Sequence, residues 1–257
     1  DELIKCTKIA KNYNYDEINL NVGCPSKAVQ KGSFGACLMK DKILVRNCLG
    51  AMNNVGGIEV SIKCRIGLEK ELNYDFFSEF INEIIQSGIK IIYVHARNAI
   101  LNGISPKGNR TIPPLNYEFV KKIKKDYPNI KFILNGGINS IDSAYNLSKE
   151  YDGVMVGRLI QNNPFTLTTV DKMFFDINKS QDFVEKIISD YFQYIKPRVK
   201  NETIFRLLSP LLQIFFGVPN SKKLKTKINE KIRNQEVENL ELLLLKFVRQ
   251  NKKYSFN

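Results

Sequence analysis

The chain has 257 residues, 43% of them hydrophobic and 25% charged, enough apolar mass for one large domain or a medium one with a smaller companion. No apolar run reaches the ~18 residues that a helical membrane span requires, which excludes a helical membrane protein. The formal charge of +13 attracts polyanions, nucleic acid first, although a Lys-rich composition produces the same excess without any partner.

In chain order, "DELIKCTKIAKNY" reads as a helix and is followed by the β-branched run "EINLNV" at 17–22. Further runs of that kind are "IEVSIKCR" (58–65), "KIIYVHA" (90–96), "KFILNGG" (131–137) and "DGVMVGR" (152–158). Amphipathic segments at 41–54, 75–87, 116–126 and 140–150 separate them. Strict alternation of strand and helix predicts βαβ units and a parallel sheet. Beyond residue 170 the alternation stops and only helical periodicity remains, with Gly217 and Pro219 of "FFGVP" as a stop and restart. Residues 171–257 carry 17 Lys/Arg against 10 Asp/Glu, a denser positive charge than the rest. The expected organisation is an α/β domain over 1–170 and a basic helical domain over 171–257.

Five strands fit an open doubly wound sheet, and they also fit the last five of a (β/α)₈ TIM barrel. Bare glycines in "NGGI" and a guanidinium in "GR" at consecutive strand ends favour the barrel, where phosphate sites often follow strands seven and eight. Strands one to three would then be absent. The chain also begins at Asp1, without Met and inside a helical pattern, which reads as a fragment.

Five cysteines at irregular spacing, Cys6, Cys24, Cys37, Cys48 and Cys64, are no disulfide framework. With a single histidine and no CxxC pair, no metal site is expected. Mostly buried thiols in a reducing, cytoplasmic setting are expected, or an organelle if an upstream segment carries a targeting peptide.

In parallel α/β folds the carboxyl ends of strands carry the chemistry. Cys24 sits at such an end, between Gly23 and Pro25, where a thiol can act as nucleophile or general acid. It could equally be a small buried side chain. No base partner adjoins it in the sequence, which suits proton donation better than acyl transfer. Lys63 and Arg65 share one strand face. Salt bridges could explain them, but Glu17 and Asp152, at strand starts, are the only acids near these strands, so an anionic ligand is the better partner. His95 and Arg97 end the next strand as candidate phosphate or flavin contacts. The long loop 98–115 presents Lys107, Asn109 and Arg110 for phosphate or base contact.

Taken together, "INLNVGCPSKAVQKGSFGACLM", "KCRIG", "VHARNAILNGISPKGNRTIPPL", "ILNGGI" and "DGVMVGR" resemble the tRNA-dihydrouridine synthases, the A-type branch in particular. The resemblance implies an FMN-binding TIM barrel followed by a helical tRNA-binding domain, with NADPH (or NADH) as reductant. It further implies hydride transfer to C6 of a D-loop uridine, at the 20/20a sites, and proton donation to C5 by Cys24. Lys63, His95, Asn135, Gly136, Gly137, Gly157 and Arg158 match FMN contacts. Asn21 matches a substrate-base contact and Lys107 and Arg110 match tRNA contacts; Arg97 and Asn109 are expected to join them in binding the substrate. Lys222 and Lys225 fall where the family carries two arginines, so charge is kept while the bidentate fork is lost. Cys37 in "GACLM" is expected to be structural. The protein is expected to be monomeric, with tRNA as partner and no membrane association. Two other readings fit the residues: a different FMN-dependent barrel oxidoreductase, or an inactive tRNA-binding fragment or paralogue.

Overall fold

The computed structural model describes residues 1–180, 182–215, 218–234 and 238–251. Residues group into two compact units, Asp1–Val156 and a second from Gly157 onward. The expected stop at Gly217 lies outside the described residues.

The first unit runs α1 (Glu2–Asn12), β1 (Glu17–Val22), α2 (Lys27–Lys31), a 3₁₀ turn (Gly35–Lys40), α3 (Lys42–Asn53), β2 (Glu59–Arg65) and α4 (Tyr74–Ile85). It continues with β3 (Ile91–His95), a 3₁₀ turn (Gly108–Arg110), α5 (Tyr117–Asp126), β4 (Lys131–Asn135), α6 (Ile141–Ser148) and β5 (Gly153–Met155). Capping chemistry explains the helix starts: Asp41, Asn73, Asn116 and Ser140 each accept a hydrogen bond from a backbone N–H in the first turn they precede. The last strand is shorter than its apolar run because Gly157 already caps the next helix.

All pairings are parallel and the spatial order is β1-β2-β3-β4-β5. A doubly wound sheet reverses direction at a switch point. Here each strand joins the one before it, which is how a (β/α)₈ barrel wall is wound. One sheet face is apolar: Val22, Val60, Ile62, Cys64, Ile92, Val94, Phe132 and Leu134 are all fully buried. They pack with Val45, Leu49, Phe77, Phe80, Ile81, Val120 and Ile123 from α3, α4 and α5 in one core. Each such side chain contributes roughly 1.5–3 kcal/mol by leaving water. The other face carries Asn19, Asn21, Ser61, Lys63, Arg65, Tyr93, His95 and Asn135, since side chains alternate along a strand. A hydrophobic sheet face thus holds the helices, and its reverse carries these polar groups together with Ile91 and Ile133.

The second unit contains α7 (Arg158–Asn162), a 3₁₀ turn (Pro164–Leu167), α8 (Thr168–Phe175), α9 (Phe183–Ile195), α10 (Ile204–Ile214), α11 (Ser221–Arg233) and α12 (Glu238–Gln250). Its own core joins Ile188, Phe192, Leu208, Leu211, Phe215, Leu224, Ile228, Leu240, Leu244 and Val248. Among the described residues no helix is long and apolar enough to cross a membrane, and no cluster of side chains could hold a metal ion.

The expectation of mostly buried thiols is corrected. Only Cys64 is buried; Cys24, Cys37 and Cys48 are partly accessible and Cys6 is exposed. Only Cys64 combines a strand-interior position with the apolar face, and burial pushes its thiol up to about 12, leaving it inert as a nucleophile.

Candidate functional site

Strand register builds the polar face in rows. Asn21 lies opposite Lys63, and Lys63 opposite Tyr93. Two residues further on, Arg65, His95, Asn135 and Met155 are partners in turn across four strands. The lower part of the face is satisfied internally. Glu17 accepts from the Ser61 hydroxyl and, at 3.1 Å, from the Tyr93 hydroxyl, while Asn19 donates to Ser61 at 2.6 Å. Asp152 is taken by Lys124 at 2.8 Å and by the Phe132 N–H at 2.9 Å. Neither of these two acids therefore serves the cations, and Glu59 lies at the opposite, starting end of β2.

β1 ends in a turn fixed by Asn21. Its side-chain oxygen accepts from the Gly23 N–H at 3.1 Å and the Cys24 N–H at 3.2 Å. Folding the chain back onto its own side chain turns Cys24 out of the strand. Ser26 caps α2 by accepting from the Val29 N–H at 3.3 Å, and Gln30 donates to Pro25 O at 2.9 Å and Leu101 O at 3.0 Å. The thiol loop is thereby tied to the loop after β3. Asn21 itself is exposed and its oxygen is committed to the turn, which leaves its amide N–H₂ to meet a ligand.

Lys63 and Arg65 share a face, as the alternation requires, but their situations differ. Arg65 is only 3% exposed and donates to three backbone carbonyls: Gly23 at 3.2 Å, Asn98 at 3.2 Å and Asn109 at 2.9 Å. It is a brace among three loops, so the expected anionic partner for Arg65 is corrected. A buried guanidinium can be satisfied by carbonyls because it presents five donors in a fixed fork. Burial first, then Arg97, lowers its pKa to about 10. Lys63 makes no hydrogen bond or ion pair among the described residues. Burial, with Arg65 next, lowers its ammonium to about 8, while Cys64 and Cys24 partly oppose that fall. A half-buried cation beside other cations is the place where an anion is most stabilising.

The loop after β3 is held from inside. Asn109 is fully buried; its side-chain oxygen accepts from Ile100 N–H at 2.8 Å and its amide donates to Ile100 O at 2.9 Å. The expectation that Asn109 contacts substrate is therefore corrected: its amide is spent on the loop. Lys107 and Arg110 on either side are exposed. Arg97, 9% exposed, donates to the carbonyls of Thr111 and Pro113 and so supports the same loop rather than facing outward. Asn98 donates to Glu69 O at 3.1 Å and Glu71 O at 2.7 Å, joining this loop to the one after β2.

At the end of β4, Gly136 and Gly137 have φ of 113° and 70°, a region closed to most side chains. A Cβ on Gly136 would meet the His95 ring at 2.6 Å, and one on Gly137 would meet Leu115 at 2.3 Å. The His95 imidazole is therefore pressed against bare backbone, with 8% exposure. Asn135 donates to Met155 O at 2.7 Å. In the second unit, Gly157 precedes and Arg158 begins α7, and both are exposed; Lys222 and Lys225 are exposed on α11, which buries Leu224 and Ile228.

The bracing residues Arg65 and Gln30 and the short helix α2 are features that sequence reading missed or misread. Only the Ser26 cap three residues before Val29 signalled α2.

The family profile and the similar sequences agree. The family profile described as dihydrouridine synthase (Dus) matches residues 1–251. A tRNA-dihydrouridine(20/20a) synthase of Shewanella oneidensis is 39% identical over 230 residues, which cover 89% of this chain and 69% of that protein. Proteins of the same name from Yersinia pestis and Escherichia coli strain K12 are 40% and 39% identical, each over 89% of this chain and 67% of their own length. Among solved structures, a phosphoenolpyruvate phosphomutase of Streptomyces platensis is similar at a TM-score of 0.42 and 12% identity, covering 88% of this chain and 90% of that one, a likeness too slight to carry an argument. The chain belongs to the dihydrouridine synthase family.

Proposed function

We propose that the chain reduces a D-loop uridine of tRNA, at the 20/20a sites, to 5,6-dihydrouridine with FMN and a nicotinamide reductant. The observation that carries this reading is the Asn21-pinned turn that turns Cys24 out at the end of β1, within the electrostatic field of an ammonium that has no partner of its own. The names of the similar proteins support tRNA as the substrate.

The residues fit FMN. Lys63 offers charge to an electron-rich ring edge, and the missing side chains of Gly136 and Gly137 let the His95 ring and Leu115 pack against bare backbone at the end of β4. His95 and Asn135 stand in the row beside them. Gly157 and Arg158 are the proposed phosphate contacts. When bound, the flavin supplies a hydride for uracil C6, and the nicotinamide cofactor restores it.

Cys24 gives the S–H proton to C5 as electron density arrives there, and solvent returns a proton to the sulfur afterwards. Asn21 holds the thiol loop and turns its amide N–H₂ toward the base. Arg65 keeps the thiol loop, the Asn98 segment and the Asn109 turn in register, so the donor is placed before substrate arrives. Reaching a base inside folded RNA costs a few kcal/mol of unstacking. Lys107, Arg110, Lys222 and Lys225 offset that through phosphate contacts.

The test supplies purified protein with FMN, NADPH and an unmodified tRNA transcript and maps dihydrouridine by mass spectrometry. Dihydrouridine at 20 or 20a is the expected result. Flavin turnover with a transcript left unreduced would contradict the reading.

A further inference from the structure

Between α2 and the following 3₁₀ turn stands Phe34, a large apolar side chain with 64% of its surface in solvent. The chain around it is fixed. Ser33 holds a left-handed φ of 58°, the Phe34 N–H donates to Val29 O at 3.1 Å, and the Cys37 thiol donates to Phe34 O at 2.9 Å. Directly after it, Ala36 N–H donates to Cys24 O at 2.9 Å, and a Cβ on Gly35 would meet Cys24 Cβ at 3.2 Å. Phe34 is therefore one residue from a segment in contact with the thiol-bearing residue. The ring is also placed: a Cβ on Gly32 would lie 2.7 Å from its Cδ2 and 2.8 Å from its Cε2. One edge rests on bare glycine backbone while most of the ring faces water.

A single exposed aromatic needs no explanation by itself. This one has an ordered backbone, a seat without a side chain, and a position beside the proposed proton donor. Every charged residue between Ser26 and Lys40 is basic. Lys27, Lys31 and Lys40 are exposed and make no ion pair among the described residues, whereas Lys42 pairs with Glu79 and Asp41 caps α3. An open π-face among unpaired cations is the surface that single-stranded RNA recognises, base on ring and phosphate on ammonium.

We propose that Phe34 is a stacking platform for an unstacked nucleobase of the RNA, one neighbouring the uridine that meets Cys24. The proposal rests on the tRNA reading given above and adds a residue that selects and holds the substrate. Placed on Phe34, the neighbouring base lends stacking energy to the extrusion of its reactive neighbour. Gly32 is then a positioning residue, because its missing side chain lets the ring lie where it does.

The chain contains no tryptophan, so Phe34→Trp installs a sole indole reporter. Titration with tRNA, binding being followed in parallel by filter retention, is expected to quench its emission in step with binding. Phe34→Ala is expected to raise the KM for tRNA roughly tenfold, Phe34→Tyr to stay within about twofold, and kcat and flavin reduction by NADPH to stay unchanged. Gly32→Ala, whose φ of −88° admits alanine, is expected to raise KM several-fold by displacing the ring. Indole emission that is unmoved while tRNA is bound would overturn the proposal alone. A shift that follows protein concentration without RNA would overturn it in favour of a second copy of the chain as occupant. If the unsubstituted protein binds no tRNA, the parent reading falls with it.

Discussion

The ends of β1 and β2 and the surface of α11 are both rich in cations, yet they are built differently. At the strand ends each polar group has a stated place: Asn21 fixes Cys24, Arg65 ties three loops, and Lys63 is left with charge and no protein partner. On α11, Lys222, Lys223, Lys225 and Lys227 are all exposed along a helix that packs inward through Leu224, Ile228 and the partly buried Ile232. A reacting atom must be positioned within a fraction of an ångström, which takes directional hydrogen bonds in a buried setting. A polyanion backbone needs only enough positive charge at suitable spacing. The first region spends folding energy on geometry, and the second supplies field.

Substitutions at three places sharpen that contrast. Arg65→Met should have the largest effect, because three buried carbonyls lose their donor; unfolding in urea should show a loss of about 3 kcal/mol, only partly restored by Arg65→Lys. Equal stability for Arg65→Met would remove the brace from the account.

Lys63 comes next. Lys63→Met should weaken FMN binding on the order of tenfold to a hundredfold, as loss of a charge-assisted contact does. Without ligand, its ammonium is lowered from 10.5 to about 8 by burial. The unfolded chain therefore holds the proton more tightly, so this group's stabilising contribution is complete above about pH 10.5 and is lost as pH falls through about 8. An anionic ligand reverses the preference by favouring the ammonium. FMN affinity should thus fall as pH rises above about 8, and Lys63→Arg should flatten that dependence. Fluorescence titration of FMN from pH 7 to 10 checks both.

The smallest effect belongs to α11. Lys222→Ala with Lys225→Ala should raise the KM for tRNA a few-fold, leave kcat alone, and reduce the slope of log affinity against log salt by about 1 to 2. A changed kcat with an unchanged slope would mean these lysines act on chemistry rather than on charge.

The same contrast explains what was legible in the sequence. The five strands and the long helices were readable because apolar periodicity reports one buried face, and the observed β1 and α5 fall almost where that periodicity puts them. Cys24 was readable because glycine and proline flank it at a strand end. α2 was not, being five residues long with no buried face of its own. Alternation placed Lys63 and Arg65 on one face but could not say which would meet a ligand. That depends on carbonyls at Gly23, Asn98 and Asn109, brought together only by folding. Asn109 misled for the same reason: in sequence it is a polar residue between two cations, and in space it turns inward to Ile100 while Lys107 and Arg110 turn out.

The most direct measurement is single-turnover kinetics of Cys24→Ala. Protein carrying reduced FMN is mixed with saturating tRNA, and flavin reoxidation is followed together with dihydrouridine. The account predicts unchanged tRNA affinity and unchanged reduction by NADPH, with product formation slowed about 10²- to 10⁴-fold. Product formation at the unsubstituted rate would contradict it.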